Sequence, residues 1–330
     1  MRFGKNKLRG GSRLTAIAVT VATTVGLLGS VIGAGTAEAA AYREFRVNSC
    51  GMPSNSALGR ANPNGTVKVQ TWYRRQNTRT VILLDGMRAR YDRSGWAIET
   101  NARLLADRGV NVVMPVGGPN SFYTDWDAPS NFNGQQARYR WGCVLNQRIV
   151  PALRSRGYAS KGGRYALMGI SMGGNAALTN AAQNRSRYYA AASLSGYNFL
   201  TSPGMRTMLR VAMLDVQPGP WNVDSMWGAP WSPRWPQNDP TMLINRMHGL
   251  KLYIGSGNGM FGRYNYPQNV GDDLFKGTPL ELLALTQAAS FEAFARAQGL
   301  NPMTHYANGT HAWGYWQDML WNAHSRGFFR

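Results

Sequence analysis

The sequence predicts an α/β protein built on a doubly wound, mostly parallel sheet. Short apolar runs such as Val81–Leu84 and Val110–Met114 are typical of strands that are buried on both faces. These runs alternate with segments of helical pattern, the longest of which covers Pro279–Gln298. Further strands are predicted at residues 67–73, 166–170, 189–194, 250–254 and 303–307, and further helices at 96–108, 141–156 and 313–324.

The most informative local pattern covers residues 166–178, where a strand, a Gly-x-Ser-x-Gly turn and a small-residue helix follow one another. This order is that of the nucleophile elbow of the α/β-hydrolase fold, in which a strained serine exposes its hydroxyl at the end of a strand. Ser171 is therefore the candidate nucleophile. The amide of Met172 opens the helix, where backbone N–H groups stabilise an oxyanion.

Residues 1–40 have the three parts of a secretory signal peptide. Five basic residues lead into an apolar core over Leu14–Ile32, and Ala37-Glu38-Ala39 offers a cleavage site. An uncleaved membrane anchor is the alternative, because the apolar core is long. The remaining residues, 41–330, have the length of a single catalytic domain, which we expect to be secreted.

The charge of residues 41–330 is strongly positive, with 31 Lys and Arg against 15 Asp and Glu. Such a surface favours polyanions, among them acidic wall polymers, anionic lipid and nucleic acid. The arginines are scattered along the sequence rather than gathered in a stripe or tail, and no nucleic-acid motif accompanies them. We therefore expect a protein held at an anionic cell envelope, with no nucleic-acid partner.

The chain has two cysteines, Cys50 and Cys143. In an exported protein an even number of cysteines indicates a disulfide. Such a bond would join the N-terminal segment to the helix that begins near Trp141. Two buried free thiols are the alternative.

One long stretch, Ser202–Asp239, departs from the alternation of strands and helices and is rich in Pro, Trp and Met. Insertions of this kind often cover the ligand pocket of doubly wound folds, beside the carboxyl ends of the strands. An ordered loop that packs its tryptophans inward is an equally good interpretation.

A serine nucleophile needs a base that accepts its proton. Of the four histidines, His311 lies in the loop after the last predicted strand, where the α/β-hydrolase chain order places the base. His305, within that strand, is the second candidate.

The base in turn needs an acid to orient it. The usual place for this acid, soon after the penultimate strand, favours Asp272, Asp273 or Glu281. Spacing alone does not separate these three carboxylates.

Seven stretches of the sequence carry a resemblance to a known family. They lie at 84–89 (LDGMRA), 94–96 (SGW), 112–118 (VVMPVGG), 121–126 (SFYTDW), 226–228 (MWG), 237–240 (QNDP) and 309–316 (GTHAWGYW). In these stretches the chain resembles the mycolyltransferases of the antigen 85 type, especially the corynebacterial ones. The resemblance extends over nearly all of residues 41–330.

The resemblance implies that Ser171, Glu281 and His311 form the catalytic set, which chooses Glu281 as the acid. It also implies backbone oxyanion donors at Met87 and Met172, and substrate-binding side chains at Asp85, Arg88 and Trp313. A local salt bridge between Asp85 and Arg88 is the simpler interpretation of that pair, and it is compatible with sugar contact.

The function implied by the resemblance is acyl transfer from trehalose monomycolate through a serine acyl-enzyme. The acceptor would be trehalose, giving trehalose dimycolate, or cell-wall arabinogalactan, or a protein hydroxyl. No metal and no organic cofactor is implied, and the oligomeric state stays open. The alternatives are a secreted carboxylesterase or lipase of the same fold, and a non-catalytic envelope-binding protein or adhesin.

Overall fold

An eight-stranded sheet forms the centre of the protein in a computed structural model that describes residues 39–55 and 58–330. Its strands run in the order β1-β2-β4-β3-β5-β6-β7-β8. The pairs β1–β2 and β2–β4 are antiparallel, and all other neighbours are parallel. The strands are β1 Ala41–Asn48, β2 Thr66–Tyr73, β3 Arg79–Leu84, β4 Val110–Pro115, β5 Tyr165–Ile170, β6 Tyr188–Leu194, β7 Lys251–Gly257 and β8 Met303–Ala307.

The predicted doubly wound, mostly parallel sheet is thereby confirmed. Its first, outermost strand β1 is an addition that the sequence pattern did not show. Residues 1–38 of the predicted signal peptide lie outside the described residues. In the part of the chain that is described, no helix is both long enough and apolar enough to cross a membrane.

Helices cover both faces of the sheet. Among the described residues, three short segments are 3-10 helical (Ala102–Arg108, Thr241–Arg246 and Pro267–Asn269), and two are π-helical (Val144–Ile149 and Asp273–Gly277). The α-helices are α1 Gly95–Glu99, α2 Trp141–Cys143, α3 Val150–Ser155, α4 Met172–Gln183, α5 Met205–Leu214, α6 Asp224–Trp227, α7 Arg234–Gln237, α8 Val270–Asp272, α9 Thr278–Ala297 and α10 Trp313–Ser325.

The continuous helix predicted over residues 96–108 is wrong in one respect, because it is broken in the middle. The backbone at Thr100 is extended. The Thr100 hydroxyl donates a hydrogen bond of 2.6 Å to the Trp96 carbonyl, which satisfies that acceptor without a further helical turn. The chain resumes as the 3-10 segment Ala102–Arg108.

The apolar core lies in two layers, one on each side of the sheet. Successive residues of β3 alternate between them, with Ile82 and Leu84 in the layer shared with α4 and α9, and Val81 and Leu83 in the layer shared with α10. Because both faces are covered, the central strands are apolar throughout, which explains why they could be recognised as uninterrupted apolar runs.

The Trp-rich insertion packs most of its tryptophans inward. Trp221, Trp227 and Trp235 are at most 1% exposed, whereas Trp231 is 85% exposed. Trp221 stacks on Tyr139 at 5.5 Å between ring centres, so the insertion is held to the loop that follows β4. The inward-packing interpretation is therefore correct for three of these four rings.

The predicted disulfide between Cys50 and Cys143 is confirmed. It joins the segment after β1 to α2 across a sequence separation of 93 residues. In the chain-entropy account, closing a loop of this length stabilises the fold by roughly 4–5 kcal/mol. The bond therefore fastens the antiparallel edge of the sheet to its helical layer.

Candidate active site

The turn between β5 and α4 holds Ser171 in a strained conformation. Its backbone has φ 50° and ψ −122°, a region that residues with a side chain rarely adopt. Such strain persists only where the surrounding structure enforces it, and it is concentrated at functional sites. Here the Ser171 amide donates to the Leu194 carbonyl at 2.8 Å, which ties the turn to β6.

The two glycines of the Gly-x-Ser-x-Gly motif are required by close packing. A Cβ on Gly173 would lie 2.5 Å from the carbonyl oxygen of Asp85, at the end of β3. A Cβ on Gly169 would overlap the carbonyl of Gly173 itself. Because β5, α4 and the end of β3 pass this closely, neither position accepts a side chain.

Ser171 opens into a cavity of about 670 Å³ at the carboxyl ends of the parallel strands. The residues predicted for the site that line it are Asp85, Met87, Arg88, Ser171, His311 and Trp313. Helix α5 contributes Val211 and Ala212 to the same wall, so the insertion also borders the cavity. The insertion therefore borders the pocket through α5 and packs three of its tryptophans inward, so both predicted roles hold for different parts of it.

His311 lies in the loop after β8, and its Nδ1 atom is 2.7 Å from Oε2 of Glu281. The imidazole is also fixed by aromatic rings. It packs edge-on against Trp316 at 4.9 Å and nearly parallel to Tyr197 at 6.4 Å. His305, the second candidate, lies within β8, where burial and the nearby Arg326 lower its pKa.

The three candidate acids are separated by their positions. Glu281, in the first turn of α9, has no solvent exposure and contacts His311. Asp272 and Asp273 line the cavity on the segment that precedes α9. The geometry thus joins His311 to the same carboxylate that the family resemblance selects.

Three groups besides His311 hydrogen-bond the Glu281 carboxylate. Oε1 accepts from Ser195 Oγ at 2.6 Å, from Ser256 Oγ at 3.1 Å and from the Gly257 amide. A buried charge is tolerated only when such donors replace water. Sequence reasoning missed these residues, although each lies at the carboxyl end of a predicted strand, on the edge that holds Ser171.

Tyr197 is a further residue that sequence reasoning missed. It is 2% exposed and lines the same cavity as Ser171 and His311. Burial raises its pKa to about 12, and a hydrogen bond with the Ser171 side chain opposes part of this rise. The phenol is therefore protonated at neutral pH and presents a neutral hydroxyl beside the nucleophile.

The predicted oxyanion donors both lie beside Ser171. Met172 follows it directly and opens α4. Met87 follows Gly86, where a Cβ would be 3.5 Å from Cβ of Ser171, so the segment after β3 touches the elbow. Met87 and Met172 therefore both belong to segments that meet at the nucleophile elbow.

The predicted substrate-binding residues occupy different environments. Asp85 is 1% exposed, and its carboxylate accepts from Ser94 Oγ at 3.0 Å and from the Gly95 amide at 3.1 Å. Arg88 is exposed and pairs with Asp215 at 3.0 Å. The local Asp85–Arg88 salt bridge is therefore wrong, because each partner is engaged elsewhere.

Trp313 lies at the start of α10 and lines the cavity. Its ring packs edge-on against Trp96 at 5.8 Å and against Trp316 at 5.2 Å.

Within residues 39–55 and 58–330, no group of three or more His, Cys, Asp or Glu side chains is placed to hold a metal ion.

The strand order and the elbow define the class of protein, an α/β-hydrolase-type fold with a serine at the nucleophile position. Solved structures agree with this class. MPT51 of Mycobacterium tuberculosis superposes with a TM-score of 0.67 at 24% identity, covering 86% of this chain and 99% of its own. The S-formylglutathione hydrolase of Agrobacterium tumefaciens gives a TM-score of 0.59 at 14% identity, covering 90% and 97%.

Sequence comparison identifies the family. A family model described as "Putative esterase" matches residues 60–326. The diacylglycerol acyltransferase/mycolyltransferase Ag85C of Mycobacterium avium is 35% identical over 95% of this chain and 87% of its own. Ag85B of Mycolicibacterium smegmatis is 34% identical over 94% of each chain. The chain belongs to this esterase family and, within it, to the antigen 85 mycolyltransferases.

The buried Asp85 carboxyl predicts a pH-dependent stability difference between the wild type and Asp85→Asn. Burial raises the pKa of Asp85 from 3.8 to about 6, so the folded protein binds its proton more tightly than the unfolded chain. The contribution of this group to the unfolding free energy is therefore present below about pH 4 and is lost as the pH rises through about 6.

We expect the wild-type minus variant difference in unfolding free energy to fall by about 3 kcal/mol across this window. Urea unfolding of both proteins at a series of pH values measures it. A difference that does not change with pH would contradict the assigned environment of Asp85.

Proposed function

We propose that this protein is a secreted acyltransferase that moves mycolyl groups from trehalose monomycolate to trehalose or to cell-wall arabinogalactan. The observation that carries the proposal is the contact of His311 with buried Glu281, in the cavity that also exposes the strained Ser171. The acyl group comes from the relatives, which are named as mycolyltransferases. The trehalose and arabinogalactan acceptors come from the family resemblance described under the sequence analysis.

In the proposed first half-reaction, His311 removes the proton of Ser171 as the serine oxygen attacks the mycolyl ester carbonyl. Glu281 orients the imidazole and stabilises its positive charge. The amides of Met87 and Met172 hold the oxyanion, each donor contributing roughly 3 kcal/mol in comparable hydrolases. His311 then protonates the departing trehalose oxygen, leaving the acyl group on Ser171.

In the second half-reaction the acceptor hydroxyl takes the place of the departed trehalose. His311 removes its proton while the hydroxyl oxygen attacks the acyl-enzyme, and Ser171 regains a proton on release. Transfer exceeds hydrolysis when the acceptor is positioned and water is kept out. The neutral hydroxyl of Tyr197 and the aromatic wall of Trp313 and Trp316 favour such an environment.

The composition of the cavity fits an acyl sugar. Its lining is mixed, and the polar residues Asp85 and Arg88 suit a sugar. The apolar residues Val211, Phe275 and Leu280 of the same lining suit an alkyl chain. A donor that contacts both groups would place its ester in the cavity that contains Ser171.

A plain esterase is the second candidate function. It is favoured by the family description "Putative esterase", which names no acyl acceptor. The product separates the two candidates, because trehalose dimycolate identifies a transferase and free mycolic acid identifies a hydrolase.

We expect Ser171→Ala to abolish formation of trehalose dimycolate from trehalose monomycolate while leaving the protein folded. The alanine removes the oxygen that carries the acyl group in the proposed mechanism. Product analysis together with circular dichroism measures both effects. Retained transfer, or labelling by a serine-directed phosphonate at another residue, would exclude the proposed nucleophile.

Glu281→Gln should lower kcat for the same transfer about a thousandfold or more, because a neutral amide neither fixes the His311 tautomer nor stabilises its charge. Glu292→Gln is the matched control, since Glu292 lies on the same helix and pairs at the surface with Arg296 at 2.8 Å. Equal rates for the two variants would remove Glu281 from the mechanism.

We also propose export to the cell envelope, which the predicted signal peptide and the Cys50–Cys143 disulfide support. N-terminal sequencing of protein recovered from the envelope and medium should begin shortly after Ala39. Protein that accumulates in the cytoplasm with the first forty residues intact would contradict this.

A further inference from the structure

A row of cations follows the edge of the sheet at which the parallel strands begin. One basic residue opens or precedes each of five neighbouring strands, in the spatial order β4-β3-β5-β6-β7. These residues, which we call the basic row, are Arg108, Arg79, Arg164, Arg187 and Lys251. Because neighbouring strands lie about 4.8 Å apart, the row extends over about 19 Å.

The basic row is the centre of a larger basic surface. Six segments meet at this edge, at residues 74–79, 106–110, 154–165, 184–188, 246–251 and 326–330. Together they contain fourteen Lys and Arg against one acidic residue, Asp107. The interpretation that the arginines form no stripe is therefore wrong in three dimensions, because strand order gathers residues that are far apart in sequence.

No Asp or Glu side chain of the described residues neutralises the charge of this surface. In the described part of the chain, none of the fourteen side chains forms an ion pair with Asp or Glu. Several donate to backbone carbonyls instead, as Arg187 does to Asn146 at 2.9 Å and Lys251 to Gly327 at 2.8 Å. Such bonds position a cation and leave its charge in place.

The cations of this surface lie close enough to repel one another. Burial, together with the nearby Lys161, Arg330 and Arg79, lowers the pKa of Lys251. Basic residues in the last turn of a helix are stabilised by the helix dipole, which accounts for Arg154 at the end of α3. That explanation does not extend to Arg79, Arg164 or Lys251, which stand at the starts of strands.

We infer that this edge binds a linear polyanion that carries repeated phosphate or carboxylate groups. The cations recur at each of five neighbouring strands, which suits a chain of regularly spaced anions. The six segments expose no large hydrophobic side chain that could insert into a lipid surface. A polymer held by charge is therefore favoured over a membrane.

The inference does not depend on the proposed catalytic function. The cavity that contains Ser171 lies at the opposite edge of the sheet, where the parallel strands end. A polymer on the basic row would hold the protein with this cavity facing away from it. Binding and catalysis can therefore be measured separately.

The test compares two triple variants with equal loss of charge. The first, Arg79→Gln/Arg108→Gln/Arg164→Gln, interrupts three adjacent positions of the basic row. The control, Arg60→Gln/Arg93→Gln/Arg138→Gln, removes three exposed cations from loops outside the six segments. The probes are inorganic polyphosphate and polygalacturonate, which separate phosphate from carboxylate, and vesicles of phosphatidylglycerol and phosphatidylcholine.

We expect the wild type to bind at least one polymer with an affinity that falls steeply with salt. The basic-row variant should bind about tenfold or more weakly, and its log affinity should depend on log salt with a slope smaller by about 2–3. The control should stay within about twofold of the wild type. Equal losses in both variants would indicate bulk charge alone and overturn the assignment.

One other outcome would also overturn it, namely a wild type that binds neither polymer, whether or not it binds the vesicles. Thermal unfolding and turnover of a soluble short-chain ester serve as controls for integrity. Both should be preserved in the basic-row variant, since its substitutions relieve repulsion and lie away from Ser171.

Discussion

The buried carboxylate of Glu281 is the interaction on which the site depends. It has no solvent exposure, so its charge is compensated only by donors that the fold delivers. These donors come from the end of β6, from β7 and from the loop after β8. All three must align with α9 before the carboxylate can be buried at acceptable cost. Formation of the site is therefore tied to completion of the parallel half of the sheet.

The central strands could be predicted because burial on both faces leaves a continuous apolar run, which needs no partner to be recognised. Strand β1 escaped prediction for the opposite reason. It is an edge strand whose residues are mostly exposed, and its sequence carries no clear alternation. The break at Thr100 depends on a single hydroxyl that bonds a carbonyl one turn earlier, an event that periodicity does not register.

Site residues that belong to a contiguous sequence motif could be predicted, whereas those that depend on contacts between distant segments could not. Ser171 is marked by contiguous residues, and the small number of histidines points to His311. Spacing along the sequence could not identify the acid among Asp272, Asp273 and Glu281. Which of these carboxylates reaches His311 depends on the path of the chain before α9, which the sequence does not show. Ser195 and Tyr197 carry no motif, and their importance arises from contacts across strands. The basic row is likewise invisible along the chain, since the order β4-β3-β5 interleaves distant segments.

The strained conformation of Ser171 affects how the site can evolve. A residue with a side chain at φ 50° costs of order 1–3 kcal/mol relative to an unstrained one, and glycine would relieve that cost. Replacing the nucleophile by glycine should thus yield a more stable and inactive protein. Selection for stability and selection for catalysis act in opposite directions at this position, so the serine is maintained only while the chemistry is needed.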